Sequence, residues 1–165
     1  MTSLAGSFLV AKPVLQDPNF VQSVVLILRH DGEGAFGVVV NRPAKAEGVP
    51  FPVYIGGPCP AQGFIMLHGH ADWTSGEEEV GEVAPGVFVG DAECLRRVSE
   101  LEEGQTARFR VFANYSGWGP EQLERELSSS AWIITLASGE LVFDTPVEEL
   151  WDRLSPPALP RPSAN

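Results

Sequence analysis

The chain has 165 residues, of which 44% are hydrophobic, enough for one sizeable core and too many for a disordered chain. It carries 11 basic against 22 acidic residues, a net charge of −11, so its surface repels phosphate backbones and anionic lipids. Seventeen glycines and 14 prolines demand many turns and short helices, and the two cysteines, Cys59 and Cys94, form no CxxC and no disulfide framework. The longest aliphatic run is far shorter than a bilayer span, and no secretory leader is evident, so the expected compartment is the cytoplasm.

Ser7 to Ala11 reads as a first strand, followed by a turn at Asp17-Pro18-Asn19. Val24 to Arg29 is a β-branched and aliphatic run without alternation, which predicts a strand buried on both faces. Asp31-Gly32-Glu33-Gly34 turns the chain, and Phe36 to Val40 returns as the second arm of a hairpin. Residues 44–52 read as a loop, Val53 to Ile55 as a short strand, and Gly56-Gly57-Pro58 as a tight turn or an anion nest. Phe64 to Leu67 is a strand, then a polar loop runs through Glu77-Glu78-Glu79 to a strand at Val87 to Val89.

Asp91 reads as the N-cap of a helix with Leu95, Val98 and Leu101 as its apolar stripe. Residues 107–113 alternate with period two, which predicts a strand. Gly117-Trp118-Gly119-Pro120 reads as a strand-to-helix corner with Pro120 at the first helical position. Trp132 to Leu136 and Leu141 to Phe143 read as a hairpin around Ser138-Gly139. Thr145-Pro146-Val147-Glu148 has the form of a capping box before the amphipathic helix of Val147, Leu150, Trp151 and Leu154. A Pro-rich tail is expected over 156–165, leaving 1–155 as the folded domain. The absence of βαβ alternation points to the α+β class: a single domain with a curved, mixed, largely antiparallel and partly barrel-like sheet flanked by a few short helices.

Several segments bear on chemistry. Gly32-Glu33-Gly34-Ala35-Phe36-Gly37 has the GxGxxG form, but a strand follows it where a dinucleotide site needs a helix, so its glycines serve a turn and close packing. His68, His70 and Asp72 alternate on one side of an extended segment and are the candidate metal ligands, one short of a closed site. Ser116 or Cys59 becomes a nucleophile only if a histidine reaches it. No GxSxG or SxxK element is present, no cofactor is expected, and no helix-turn-helix or basic helix supports DNA contact.

Residues 4–11 (LAGSFLVA), Asp17-Pro18-Asn19-Phe20 with Ser23-Val24, Gly37-Val38-Val39-Val40-Asn41-Arg42-Pro43, Tyr54-Ile55-Gly56-Gly57-Pro58, Leu67-His68, Gly117-Trp118-Gly119-Pro120 with Gln122-Leu123-Glu124, and Trp132 with Trp151 together resemble the YqgE/AlgH family. The resemblance spans about residues 4 to 154. It implies a curved, partly barrel-like sheet with flanking helices, in a bacterial family without an assigned chemistry, some of whose members are described as transcriptional regulators. The expected function is a non-enzymatic binding or regulatory module acting through a protein or small-molecule partner, without direct nucleic-acid or membrane contact. The alternative is a ligand-binding protein or enzyme with a pocket around Asn41, Arg42, Gly56, Gly57, His68 and Trp118, where Arg42 clamps an anion. A monomer or a weak dimer through an exposed strand edge is expected.

Overall fold

The computed structural model describes residues 3–13, 15, 17–18, 20–45, 47–73, 82–102, 107–129 and 131–155. The expected loop through Glu77–Glu79 and the tail over 156–165 lie outside them. Ten strands form the sheet: β1 (Ser7–Ala11), β2 (Val24–Asp31), β3 (Gly34–Val39), β4 (Pro43–Ala44), β5 (Val53–Ile55), β6 (Cys59–His68), β7 (Glu82–Ala84), β8 (Val87–Gly90), β9 (Phe109–Trp118) and β10 (Trp132–Leu136). Among the described residues three α-helices accompany them: α1 (Ala92–Ser99), α2 (Gln122–Ser128) and α3 (Val147–Leu154). No helix is long and apolar enough to cross a membrane among the described residues.

The strand order is β10-β1-β2-β3-β9-β6-β8-β7, with antiparallel neighbours throughout. The exception in direction is β5, which pairs parallel with β9 while β4 pairs with β5. The two ends of this path approach each other: the Gly139 N–H, just past β10, donates to the Pro85 carbonyl in the β7–β8 turn at 2.8 Å. The sheet is therefore curled almost into a barrel, and the α+β class read from the sequence holds.

The apolar pattern explains the curl. In β2, Val24 and Leu26 enter a core inside the barrel with Phe8, Val38, Leu67, Phe112 and Leu150. Val25 and Ile27 point the other way, under α2, with Leu9, Trp118, Leu123 and Trp132. A strand covered on both faces needs no polar alternation, which is why this run has none. A third cluster seats α1, through Cys94 and Val98, on Met66, Val53 and Val111. Asp91 caps α1 as expected, its Oδ1 accepting the Cys94 N–H at 3.0 Å.

β9 organises the sheet. One edge pairs with β6; the other pairs with β5 at Val111–Ala113 and with β3 at Ser116–Trp118. The change of partner falls at Asn114, whose φ of 67° lies in the left-handed region that asparagine tolerates. Its Oδ1 accepts the Ala61 N–H at 3.4 Å, where β6 shifts register.

Several local expectations are corrected. The strand expected to end at Ala113 runs on to Trp118, because a bend at Asn114 keeps it in the ladder. Leu141 to Phe143 is not a strand but part of a π-helical turn (Glu140–Asp144) that drives Val142 and Phe143 into the barrel core, β10 having paired with β1 instead. The α2 helix starts at Gln122 rather than at Pro120, and it is the Gln122 side chain that accepts the Gly119 N–H at 3.0 Å. The capping box before α3 does not form: Pro146 occupies the cap, and the Thr145 hydroxyl donates to the Glu140 carbonyl at 3.2 Å. The stretch before Val87 holds an additional strand, β7.

Candidate functional site

Asn41 and Arg42 follow β3 and fasten the segment ahead of β2. Asn41 accepts the Val24 N–H through Oδ1 at 3.0 Å and donates through Nδ2 to the Gln22 carbonyl at 3.0 Å. Arg42 donates through Nη2 to the Val21 carbonyl at 2.9 Å, and burial pulls its pKa down while Asp17 opposes that shift. Both line a polar recess of about 250 Å³ with Glu148, Trp151 and Asp152. Its wall supplies carboxylates as well as the guanidinium, a poor setting for an anion.

Gly56 and Gly57 lie where the chain presses on β9. A Cβ on Gly57, whose φ is 154°, would sit 2.3 Å from both Ser116 Oγ and the Tyr115 carbonyl. The Gly56 carbonyl accepts the Val39 N–H at 2.8 Å and the Ser116 hydroxyl at 3.0 Å. The two glycines thus serve a close backbone crossing, and Ser116 is a buried hydroxyl satisfied by a main-chain carbonyl.

His68 ends β6 beneath α1 and is fully buried. Its Nδ1 accepts the His70 N–H at 3.1 Å, which leaves the ring proton on Nε2, facing Cys94 Sγ at 3.8 Å. The thiol in turn points to the Trp73 carbonyl at 3.8 Å. A thiol–imidazole nucleophile needs the ring lone pair toward sulfur; this ring presents its proton. Burial also pushes the Cys94 thiol up, away from thiolate. His70 stacks on Trp73 at 4.2 Å between centroids and accepts the Arg108 N–H at 2.9 Å through Nε2, while Asp72 is exposed. Among the described residues no group of three or more histidine, cysteine or acidic side chains is placed to hold a metal. The fold sets Cys94 rather than Cys59 beside a histidine, a proximity across 26 residues that no local pattern announces.

Trp118 closes β9 and is buried under α2. Its Nε1 donates to Glu126 Oε1 at 3.1 Å, and Trp132 donates to the same oxygen at 3.0 Å. Gln122 donates to Glu126 Oε2 at 3.1 Å, and Phe20 packs against both indoles. Arg42, His68 and Trp118 therefore occupy three separate environments: a recess beside α3, the floor under α1 and the cluster under α2. They do not converge on one cleft, because each is already engaged in holding a different element to the sheet.

A strongly apolar concavity lies elsewhere, at the mouth of the barrel between the β2–β3 hairpin and the β6–β8 pair. Leu28, Phe36, Phe64, Ile65, Met66 and Val89 line it, with Arg29 and Gly90, around about 530 Å³. A register shift at Leu28 separates the hairpin from the run of β2 below. Leu28, Ile65 and Val89 rest on the barrel core, whereas Phe64 is 39% exposed. Among the described residues Arg29 is the one ionisable group in the lining, and its charge is matched by Asp31 at 2.9 Å and Glu33 at 3.7 Å. Such a lining can hold an apolar group; it offers no acid, base or nucleophile. Sequence reading missed it because its residues come from four strands, and only the curl of the sheet assembles them.

The profile of the AlgH-like family matches residues 8–156. The chain belongs to the AlgH-like family. A relative described as a UPF0301 protein, from Myxococcus xanthus, is 35% identical over 92% of this chain and 89% of its own length. The solution structure of the AlgH protein from Pseudomonas aeruginosa superposes with a TM-score of 0.71 at 28% identity, covering 92% of this chain and 87% of that one. The crystal structure of protein DIP2367 from Corynebacterium diphtheriae shares the fold, with a TM-score of 0.74 at 24% identity over 97% and 91% of the two chains.

In this AlgH-like chain the buried imidazole of His68 makes a testable pH dependence. Burial pushes it below the ordinary histidine value of 6.5, the neighbouring His70 adds to the shift, and Asp91 and Asp72 oppose it. The unfolded chain takes up this proton as pH falls through about 6.5, whereas the native chain resists it. The unfolded state then binds more protons, so the contribution is fully present above that pH and is lost below it. Urea titrations at pH about 7 and about 5 will show a larger loss of stability in the wild type than in His68→Gln, approaching about 1.4 kcal/mol per pH unit at most. Equal losses in the two proteins would show that His68 titrates normally.

Proposed function

We propose that this chain is a non-enzymatic binding module that captures an apolar group at its barrel mouth, and that any effect on transcription runs through a bound protein or small molecule. The supporting observation is the recess of about 530 Å³ lined by Leu28, Phe36, Phe64, Ile65, Met66 and Val89. Mouths of β-barrels are recurrent ligand sites, and this volume falls in the range of ordinary ligand pockets. The chemistry-bearing side chains elsewhere point the same way, since Ser116, Cys94, His68 and His30 are engaged within the fold. His30, for example, accepts the Leu4 N–H at 3.0 Å through Nδ1 and meets Glu124 at 3.1 Å through Nε2. The net charge of −11 opposes direct contact with DNA.

The test is a titration with fragment-sized aromatic and aliphatic probes followed by methyl NMR. Shifts should gather on Leu28, Ile65 and Val89 and vanish in Phe64→Glu, whose carboxylate would have to be desolvated by an apolar probe. Shifts centred on the Arg42 recess instead would overturn the assignment. Tight, sequence-specific retardation of DNA by the isolated protein at physiological salt would overturn the indirect mode of action.

A further inference from the structure

The geometry of β10 points to a second binding surface: we infer that two copies of this chain associate by pairing their β10 strands antiparallel about Ile134.

Among the described residues β10 pairs with β1 alone, so it is an edge strand of the described sheet. The direction of its free hydrogen-bonding groups follows from its neighbours. The Lys12 N–H donates to the Ala131 carbonyl at 3.0 Å, whereas the Ala11 N–H donates to Ser23 on the β2 side at 2.9 Å. In an antiparallel ladder these directions alternate. The main-chain groups of Ile133 and Thr135 therefore face β1, and those of Trp132, Ile134 and Leu136 face outward. An antiparallel copy centred on Ile134 sets Ile134 opposite Ile134, and Trp132 opposite Leu136 on either side. Each facing pair exchanges two bonds, giving about six across the junction.

The side chains match as well. Trp132, Ile134 and Leu136 share one face of the sheet, the face that carries α2. Coverage fades along it: Trp132 is buried, Ile134 is 46% exposed and Leu136 is 85% exposed. A two-fold axis at Ile134 sets the bare Leu136 beside the other copy's Trp132, at the end that α2 covers, and sets the two Ile134 side chains against each other. Aliphatic and aromatic pairs of this kind stabilise cross-strand contacts.

Charge selects a second copy of this acidic chain at this edge. Residues 127–139 contain no charged side chain, so two molecules of net charge −11 can meet here without setting acids against acids. β10 itself carries no lysine, no proline and no register shift against β1, and among the described residues the β7–β8 turn meets the chain only past its end, at Gly139. The strand and two exposed side chains fall well short of the roughly 800 Å² per partner of a stable interface, so the dimer is weak, half-formed between about 10 μM and about 1 mM.

Sedimentation equilibrium over about 1 μM to about 1 mM tests this. The wild-type average mass should climb from 17.8 kDa toward twice that value. Ile134→Lys and Ile134→Asp, checked for native circular dichroism, should each stay monomeric, because like charges would lie directly opposite. Mixed in equal amounts they should associate, a recovery that a damaged fold cannot give. Leu136→Lys, at the most exposed position, should weaken self-association at least about tenfold. A wild type that remains monomeric throughout, a dimer indifferent to these substitutions, or a mixture that stays monomeric would each overturn the inference.

Discussion

Gly57→Ala will lower the melting temperature by roughly 8–16 °C, about twice the effect of the same change at Gly63. Both glycines have positive φ, 154° and 80°, so both substitutions meet a backbone conformation that side chains resist. That conformational cost is about 1–3 kcal/mol. The two sites differ in what surrounds them. A Cβ on Gly63 meets nothing within 4 Å, while on Gly57 it meets Ser116 Oγ and the Tyr115 carbonyl at 2.3 Å. The carbonyl belongs to β9, which is held on both edges by β3, β5 and β6, so it cannot move aside without breaking ladders. Overpacking of this kind costs about a further 1–3 kcal/mol. A total near 4 kcal/mol converts to the stated shift at about 2–4 °C per kcal/mol for a chain of this size. Calorimetry on the two variants decides the point: equal shifts would show that φ alone matters and that β9 yields.

The same crossing shows what a sequence can and cannot disclose. Gly56-Gly57-Pro58 announces a special backbone, but an anion nest and a close crossing use the same glycines. Only the position of β9, more than 50 residues downstream, separates the two. Elements whose signal is local were legible. The Asp31–Gly34 turn, the Asp91 cap and the stripe of Val147, Leu150, Trp151 and Leu154 all lie where their patterns put them. Misreadings arose where a local pattern met a longer-range competitor. Asn114 to Gly117 has the composition of a turn, yet pairing with β3 and β6 keeps Tyr115 to Gly117 in the ladder beyond the left-handed Asn114. Leu141 to Phe143 is too short for periodicity to tell strand from helix, and the barrel core claims it as a π-helical turn. Thr145 has the residue type for a cap, but its hydroxyl is drawn back to Glu140. The candidate site residues depend on the same long-range placement: Arg42, His68 and Trp118 are distinctive in sequence, and the fold sets them in three separate surroundings, each with local hydrogen bonds.

Trp118 carries the other large expected effect, through its partner. Glu126→Leu will destabilise the fold by about 3 kcal/mol, and Glu126→Gln by about 1 kcal/mol. Glu126 accepts from the indoles of Trp118 and Trp132 on one oxygen and from Gln122 on the other. It thereby ties α2 to the end of β9 and the start of β10, two strands far apart in the strand order. Leucine fills similar space but leaves two indole N–H groups without an acceptor in a largely buried cluster. Each such loss costs about 1–3 kcal/mol. Glutamine keeps one carbonyl oxygen, which both indoles can share, and sets its amide against Gln122, whose own amide can rotate to present oxygen. That rotation gives up the bond from the Gly119 N–H, the contact that starts α2. The graded outcome is therefore specific to the hydrogen bonds rather than to volume. Denaturant midpoints read the energies, and tryptophan emission reads the site, since Trp118 and Trp132 will gain solvent exposure in Glu126→Leu before Trp151, which donates to the Ala11 carbonyl at 2.7 Å on the opposite side of β1. Equal destabilisation by leucine and glutamine would mean that negative charge, not acceptor geometry, holds the corner together.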